Sequence, residues 1–566
     1  MGYMIPRFVK AVNRQLQSAD RCPPPEKRYS RAMRMRSIIT VWLLLSAGCA
    51  SPRGAGAQQP ETGPPRLVVM AVVDQLAADM LDRYADAFTG GFRRLLDGGY
   101  RFTGASHAHA VTETAAGHAT LGTGVFPSRH GIVANDWFEP QGAAWQAVYS
   151  FADTTSALVD AVWAEGRSPA NMRRGGFADW LRESNGSAKV AAVSRKDRGA
   201  IPMAGQVRGE VYWMEPESYR FVTSHYYRNE LPSWVRAVNE RIPGMWADTI
   251  WSLDVPGSLV GRARPDSALY EGDGTHVTFP HVAAEEQADT GEVSRNAWRI
   301  AVPFPDAATL AMAKAAIDAL ELGASARTDY LAVSLSQTDP VGHDYGPTSL
   351  EQLDNLLRVD RLLGELMAHL DARVGEGRWL LALSADHGVM VEPEVRVEAG
   401  QPGLRFSLRE LRTLVEGANA AAGTGDIAEV RRRAAVKFEE HPAVADVMTE
   451  EELRSTTAPA DTFVELQRRS YFEGRQTGWL GRSGLWIRFA EGTIVSYPTG
   501  STHGSAYWYD RHVPLIFYGA GVEAGQSAEP VRTVDVAPTL ARLIGIAFPD
   551  DIDGRPLAVP RRQASR

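Results

Sequence analysis

The chain has 566 residues, of which 44% are apolar and 23% charged, and its formal net charge is −8. This ordinary globular composition excludes a disordered chain, a collagen-like repeat and a multi-span membrane protein. Residues 1–57 are basic, so the rest of the chain carries −16, with 50 Lys and Arg against 66 Asp and Glu. Such an acidic body argues against nucleic acid as a specific partner.

The first 57 residues have the pattern of a secretory leader. Three arginines at 31, 34 and 36 precede the apolar run 37–50, which is too short to span a bilayer comfortably. Residues 55–57 (Ala-Gly-Ala) fit a cleavage site, and residues 46–49 resemble a lipoprotein box whose leucine lies one position early. We therefore expect an exported protein that is either periplasmic or membrane-anchored through a lipid on Cys49.

The two cysteines, Cys22 and Cys49, both lie in this leader. The body therefore has no disulfide framework, cysteine zinc site or thiol nucleophile.

Short apolar runs predict buried β-strands at 67–73, 190–193, 330–335, 379–383 and 515–517. Runs without alternation are typical of strands buried on both faces. Helical patterns lie between them, including 306–322 and a leucine repeat over 350–370. This alternation predicts an α/β fold with a mostly parallel central sheet flanked by helices. In such folds, ligands bind beyond the carboxyl ends of the strands.

We expect residues 58–566 to form one catalytic domain with two inserted segments. Residues 205–300 are rich in Trp, Tyr, Pro and Gly and predict an inserted cap. Residues 392–482 contain charged helical patterns and predict a second, partly helical insertion. The chain has no internal repeat, and we favour a monomer.

Acids and histidines cluster at the ends of the predicted strands. They are Asp74, Asp339, His343, Asp386, His387 and His503. Asp and His together suit Zn²⁺ and similar metals, and six ligands suit two ions. A single Asp at a strand end is more often a cap, but two Asp/His pairs that each follow a buried strand favour a metal site.

A helix-like segment follows Thr114, so its hydroxyl is expected at a helix N-terminus, where negative charge is favoured. Bound to a metal, this hydroxyl can ionise and attack phosphorus. Thr112 is the competing nucleophile, and an ordinary N-cap is the alternative role. The neighbouring histidines are interpreted as structural: His107, His109, His118 and His130.

The segment Ser-Arg-Lys-Asp-Arg-Gly at 194–199 follows a predicted strand. If it is extended, Lys196 and Arg198 point the same way. An Arg fork and a Lys point charge together suit phosphate oxygens. A solvated run of charges is the alternative.

Taken together, these motifs resemble the alkaline phosphatase superfamily, and within it the phosphate-irrepressible bacterial alkaline phosphatases that use threonine. The matching segments, spread over about residues 66–557, are VVDQ, TETAAGHATLGTGVFPSRHGIVANDW, SRKDRGAI, SQTDPVGHDYGP, SADHG, THGSAYWYDRHVPLIFYGAGV and VDVAPTLARLIGI. The ordered set is far more specific than any one motif.

The resemblance implies a site for two Zn²⁺ ions and hydrolysis of small phosphate monoesters through a phospho-threonine intermediate. The implied ligands are Asp339, His343 and His503 for one zinc, and Asp74, Asp386, His387 and the nucleophile Thr114 for the other. The implied contacts to phosphoryl oxygens are Asn135, Lys196 and Arg198.

Two alternatives stay open. A phosphodiesterase or nucleotide pyrophosphatase of the same superfamily shares the metals and the threonine but usually lacks the Lys-x-Arg pair, so Lys196 and Arg198 favour monoesters. An exported phosphate- or metal-binding protein without turnover is the other, and the intact nucleophile argues against it. A sulfatase is disfavoured because the sequence has no Cys-x-Pro-x-Arg segment.

Overall fold

The computed structural model describes residues 64–142, 144–245, 250–286, 298–455 and 462–562. The predicted leader and Cys49 lie outside the described residues. The strands, numbered in chain order, are β1 Leu67–Val73, β2 Tyr100–Ser106, β3 Asp136–Gln141, β4 Ala144–Tyr149, β5 Val190–Ser194, β6 Glu210–Met214, β7 Phe221–Val222, β8 Ile250–Trp251, β9 His281–Val282, β10 Asp329–Leu335, β11 Trp379–Ser384, β12 Leu404–Phe406, β13 Val444–Thr449, β14 Leu485–Phe489, β15 Thr493–Val495, β16 Leu515–Gly519 and β17 Gly525–Arg532.

The α-helices include Ala78–Arg83, Gly91–Gly98, Thr114–Thr123, Pro127–His130, Phe177–Ser184, Asp197–Ala200, Ser233–Met245, Gly257–Val260, Ala283–Glu286, Pro305–Leu320, Thr338–Tyr345, Leu350–Arg373, Pro393–Glu398, Leu408–Ala422, Ile427–Glu439, Glu450–Ser455, Phe463–Ser470, Gly478–Gly481, Trp508–Arg511 and Val536–Ile544. Within the described ranges, no helix is long and apolar enough to cross a membrane.

Nine strands form one sheet in the order β17-β2-β16-β11-β1-β10-β5-β6-β7. The five neighbours β11, β1, β10, β5 and β6 run parallel to one another. Strand β16 is antiparallel to both of its neighbours, and β7 is antiparallel to β6. The predicted α/β fold with a mostly parallel sheet is confirmed, and all five predicted apolar runs are strands of this sheet.

Strand β1 shows why these runs lack alternation. Val68 and Met70 pack into the hydrophobic core on one face of the sheet, whereas Leu67 and Val69 pack into the core on the other. Every residue of β1 is buried, because neighbouring side chains of a strand point to opposite faces and both faces are covered.

Helices cover both faces. Thr114–Thr123 and Val536–Ile544 contribute to the first core, and Pro305–Leu320 and Leu350–Arg373 contribute to the second. The last two match the predicted helical patterns. Ser349 caps the start of Leu350–Arg373, because its side chain accepts a hydrogen bond from the backbone N–H of Gln352.

The two predicted insertions have different boundaries in the structure. Segment 205–300 begins with β6 and β7, which extend the central sheet, so its start is not a separate cap. Segment 392–482 pairs β12 with β15 and β13 with β14, and both partner strands lie beyond residue 482. This second segment packs around its own apolar cluster, which includes Phe406, Leu414 and Phe438. The second inserted segment, together with its partner strands, therefore extends to Val495.

Candidate active site

The candidate site lies at the carboxyl ends of four neighbouring parallel strands, β11, β1, β10 and β5. Asp74 directly follows β1, Asp339 lies in the first helical turn after β10, Asp386 follows β11, and Lys196 follows β5. Parallel neighbours end at the same edge of a sheet, which is why residues far apart in sequence meet here.

Two groups of acid and imidazole atoms each lie within 4.8 Å of one another. Asp74, Asp386 and His387 form the first, which is a set that the resemblance implies. The second is Asp339, His387 and His503, with His387 where His343 was expected. His343 lies beside this second group, since its Nε2 is 3.2 Å from an oxygen of Asp339. The structure thus brings all six predicted ligands together.

Backbone carbonyls fix the orientation of the three histidines. His343, His387 and His503 each place Nδ1 against a backbone carbonyl oxygen, at 2.9, 3.0 and 2.7 Å. A carbonyl oxygen only accepts hydrogen bonds, so Nδ1 carries a proton, and the neutral imidazole then has its lone pair on Nε2. In the neutral ring each Nε2 can therefore bind a metal, the arrangement common in metal sites.

Lys196 contacts two of the buried carboxylates in the cluster. Nζ of Lys196 lies 2.5 Å from Asp74 and 2.6 Å from Asp339. Burial and the neighbouring Asp386 raise the pKa of Asp74. Burial also opposes the charge of Asp339, but Lys196 and His343 hold the pKa of this carboxyl well below its usual range. The ammonium group of Lys196 therefore contacts one carboxylate from each of the two groups of candidate metal ligands.

Unpartnered atoms show that a cation fits this cluster. Among the described residues, Oδ1 of Asp74 and Nε2 of His387 are buried without a hydrogen-bond partner. Burial lowers the pKa of His387 to about 3, so its imidazole is neutral and can accept a metal. Buried polar atoms without partners are costly, and Asp and His atoms of this kind match the ligand set of zinc.

Thr114 is the first residue of the helix Thr114–Thr123 and is only 1% exposed. Its Oγ1 lies 3.5 Å from Nζ of Lys196, beside the carboxylates. Gly117 lets this helix approach the backbone of Asp386 closely, because a Cβ at Gly117 would meet the backbone oxygen of Asp386 at 2.0 Å. The hydroxyl thus lies at a helix N-terminus, as predicted, and next to the candidate metal site.

Thr112, the competing nucleophile, has a different environment. Its Oγ1 donates a hydrogen bond to the backbone oxygen of Ser505 at 2.8 Å. This hydroxyl is therefore already engaged away from Lys196.

Asn135 is held against the start of the same helix. Its Oδ1 accepts a hydrogen bond from the backbone N–H of Ala115 at 2.9 Å, and its own N–H donates to Glu113 at 2.7 Å. Oδ1 takes the contact with Ala115, so the Nδ2–H donors of Asn135 are not used in it.

Lys196 and Arg198 were expected to point the same way if their segment is extended. Lys196 is extended, but a helical turn begins at Asp197, so this condition does not hold over the whole segment. Burial opposes the charge of Arg198, but Tyr149 and Asp197 raise the pKa of its guanidinium. Both cations line one cavity of about 300 Å³.

Comparison with known proteins places this geometry in a family. Residues 68–484 match the family model described as Type I phosphodiesterase / nucleotide pyrophosphatase. The chain belongs to this family. The match covers most of the chain and confirms the predicted alkaline phosphatase superfamily.

Its relatives include several alkaline phosphatases. Alkaline phosphatase PafA of Elizabethkingia meningoseptica is 31% identical over 537 residues, which cover 89% of this chain and 96% of that protein. Alkaline phosphatase PhoV of Synechococcus elongatus is 30% identical, with 87% and 92% covered. The crystal structure of wild-type PafA matches this phosphodiesterase-family chain with a TM-score of 0.78, covering 88% of this chain and 99% of that one.

The sequence analysis missed a role for Gln75, which follows Asp74 in the Val-Val-Asp-Gln motif. Its backbone N–H donates to Asp386 at 3.1 Å, and its Nε2 donates to Asp339 at 2.8 Å. Its φ of +65° lies in the left-handed region, which is unfavourable for a residue other than glycine. In this conformation Gln75 joins a carboxylate from each of the two groups of candidate metal ligands.

His118 lies one helical turn after Thr114 and was interpreted as structural. Its Nδ1 is 2.9 Å from the backbone oxygen of Thr114 and 3.2 Å from Asp386, and its Nε2 is 2.9 Å from Ser334. It therefore supports a candidate metal ligand directly, which the four-residue spacing from Thr114 could have indicated. The other three histidines that were interpreted as structural contact backbone oxygens or hydroxyls outside the cluster: His107, His109 and His130.

Proposed function

We propose that this protein is a metal-dependent phosphomonoesterase that uses Thr114 as its nucleophile. The observation that carries the proposal is the position of Thr114 Oγ1, 3.5 Å from Nζ of Lys196, which itself contacts Asp74 and Asp339. A hydroxyl at a helix N-terminus, next to a cation and an acidic metal-binding cluster, is suited to attack phosphorus.

Two zinc ions are proposed for the acidic cluster. The proposed ligands are Asp339, His343 and His503 for one ion, and Asp74, Asp386, His387 and Thr114 for the other. Support comes from the Asp/His donor set and from the Nδ1 contacts that leave each Nε2 available. When bound, such ions stabilise charge on phosphoryl oxygens and favour the ionised hydroxyl.

The protein's own groups carry the rest of the reaction. Thr114 Oγ1 attacks in line, a Thr–O–P bond forms, and the bond from phosphorus to the alcohol oxygen breaks. Water then attacks the phospho-threonine, which restores the hydroxyl and releases phosphate. Asn135 donates Nδ2–H to a non-bridging oxygen, and Lys196 and Arg198 balance the charge of the other oxygens.

A further structure of PafA supports these roles. This PafA variant is substituted at a threonine, an asparagine, a lysine and an arginine, and its structure matches this chain with a TM-score of 0.79 and 30% identity. The candidate residues Thr114, Asn135, Lys196 and Arg198 occur in the same order. In both chains the lysine and arginine are two positions apart.

A phosphodiesterase is the second candidate, favoured by the description of the family model itself. Measurements of kcat/KM separate the phosphomonoesterase from the phosphodiesterase function. The substrates are an aryl phosphate monoester and its methyl diester, which share one leaving group. We expect the monoester to be preferred. A diester preference would replace the proposed function with the second candidate.

Metal dependence tests the site itself. We expect about two zinc ions per chain by elemental analysis, loss of activity on chelation and recovery with Zn²⁺. Full activity in metal-free protein would reject the site assignment. Zinc and phosphate binding without phosphate release would instead support a non-catalytic binding protein.

We also propose that the protein is exported as a monomer, either periplasmic or anchored through Cys49. The leader pattern at 1–57 supports export. Cell fractionation of the full chain and of Cys49→Ser separates the two forms, because only lipidation at Cys49 makes membrane association depend on that residue. Recovery of the full chain in the cytoplasm would contradict export.

A further inference from the structure

A cavity of about 480 Å³ adjoins the candidate site on the side of His503. Its wall at this end includes His503, a candidate zinc ligand, and Glu113, which immediately precedes Thr114. The cavity that Lys196 and Arg198 line is a different one. The larger cavity therefore opens beside the reacting centre without containing the proposed phosphate contacts.

Aromatic side chains line much of this cavity. They are Phe463, Trp486, Phe489, Tyr497, Tyr507 and Tyr509. The ring of Tyr497 is nearly parallel to that of His343, with an angle of 12° and 6.4 Å between ring centres, and the residue is 47% exposed. Tyr497 thus offers an accessible ring face next to a candidate zinc ligand.

The basic side chain in the wall of this cavity is already paired with an acid, so it is a poor partner for a bound anion. Among the described residues that line the cavity, Arg488 carries the guanidinium group. This group lies 3.5 Å from Asp446 and over the ring of Phe463, at 5.0 Å from the ring centre. Glu113 and Asp510 add acidic groups to the wall. An anionic group in the alcohol would therefore meet a paired cation and two acids, which disfavours it.

We propose that this cavity binds the alcohol portion of the substrate, and that it selects neutral alcohols carrying an aromatic ring. The proposal rests on the phosphatase function above and specifies its substrate class. A concave site of this volume with mainly aromatic walls suits an organic group of moderate size. Ring-to-ring contacts add affinity beyond the burial of apolar area.

The test compares phenethyl phosphate with ethyl phosphate. Both have primary alkyl leaving groups, so their intrinsic reactivity is similar and they differ by the phenyl ring. We expect the wild-type protein to favour phenethyl phosphate in kcat/KM. In Tyr497→Ala this preference should fall about three- to tenfold, the factor expected for the loss of one ring contact.

Two variants serve as controls. Tyr497→Phe keeps the ring and should keep the preference. Trp508→Ala removes a ring that is 51% exposed and does not line the cavity, so it should also keep the preference. An unchanged preference in Tyr497→Ala, or an equal fall in Trp508→Ala, would overturn the proposal.

Failure of the phosphatase function has a separate signature. If the wild-type protein hydrolyses neither ester, its affinity for phenethyl phosphate is measured by calorimetry instead. A three- to tenfold weaker affinity in Tyr497→Ala would support the ring site even though the enzyme function had failed. Equal affinities in Tyr497→Ala and the wild-type protein would overturn it.

Discussion

Replacing Lys196 by methionine should weaken hydrolysis of monoesters more than hydrolysis of diesters. Methionine keeps an unbranched apolar stem and removes the ammonium group, which lies 3.5 Å from Thr114 Oγ1. One charged hydrogen bond contributes about 1.5–3 kcal/mol. Its loss therefore corresponds to about a 10–100-fold lower kcat/KM for the dianionic monoester. The diester carries less charge, so its loss should be smaller.

The assay measures kcat/KM for an aryl phosphate monoester and its methyl diester at saturating Zn²⁺. Saturation matters because Lys196 also contacts Asp74 and Asp339, so its removal changes the affinity for metal. Removing the ammonium group from the two carboxylates should strengthen metal binding. Loss of metal therefore cannot explain a lower activity of Lys196→Met. Lys189→Met is the matched control, since Lys189 is exposed and contacts the backbone oxygen of Leu320.

Equal losses on both esters in Lys196→Met would refute this argument. So would activity that stays unchanged on both. Either result would remove the charge-based reason for a monoester preference and favour the phosphodiesterase function.

Three further changes test the site and its surroundings. Thr114→Ala should lose most phosphatase activity while retaining metal, and Thr112→Ala should keep most of it; the opposite pattern in the same assay would move the nucleophile to Thr112. Gln75→Ala should weaken zinc binding about 10–100-fold in a chelator competition, because Gln75 orients two ligand carboxylates; unchanged affinity would contradict that role. Burial raises the pKa of Glu271 to about 8, although the neighbouring Arg264 opposes this rise. The folded protein therefore keeps a proton on Glu271 that the unfolded chain releases near the ordinary pKa of a glutamate. The resulting stability is complete below about pH 4.5 and is lost as pH rises towards about 8. The melting temperature of Glu271→Gln should therefore depend less on pH in this window, and an identical slope would contradict the assignment.

Local features of the sequence predicted the buried strands, the edge of the sheet where the candidate site lies and the helix start at Thr114. Continuous apolar runs such as 67–73 identified strands buried on both faces, and the polar residues that end them identified the site edge. The helix start at Thr114 was predicted from the residues that follow it. These features are readable because strand burial and helix initiation depend mainly on nearby residues.

The orientation of neighbouring side chains was less predictable. Lys196 and Arg198 were expected to point the same way if their segment is extended, but the chain turns into a helix at Asp197. The strand at 515–519 runs antiparallel within a mostly parallel sheet. Both depend on how the chain continues beyond the local motif.

By itself, the sequence determined which residue types end the strands, which segment begins the helix at Thr114 and which superfamily the chain resembles. Only the tertiary structure decided that β11, β1, β10 and β5 are neighbours, and hence that Asp386, Asp74, Asp339 and Lys196 share one edge. It also decided that Gln75 joins two of the carboxylates. The physical reason is that strand order and contacts between distant residues arise from packing across the whole sheet, whereas strand burial and helix initiation leave their signal within a few residues.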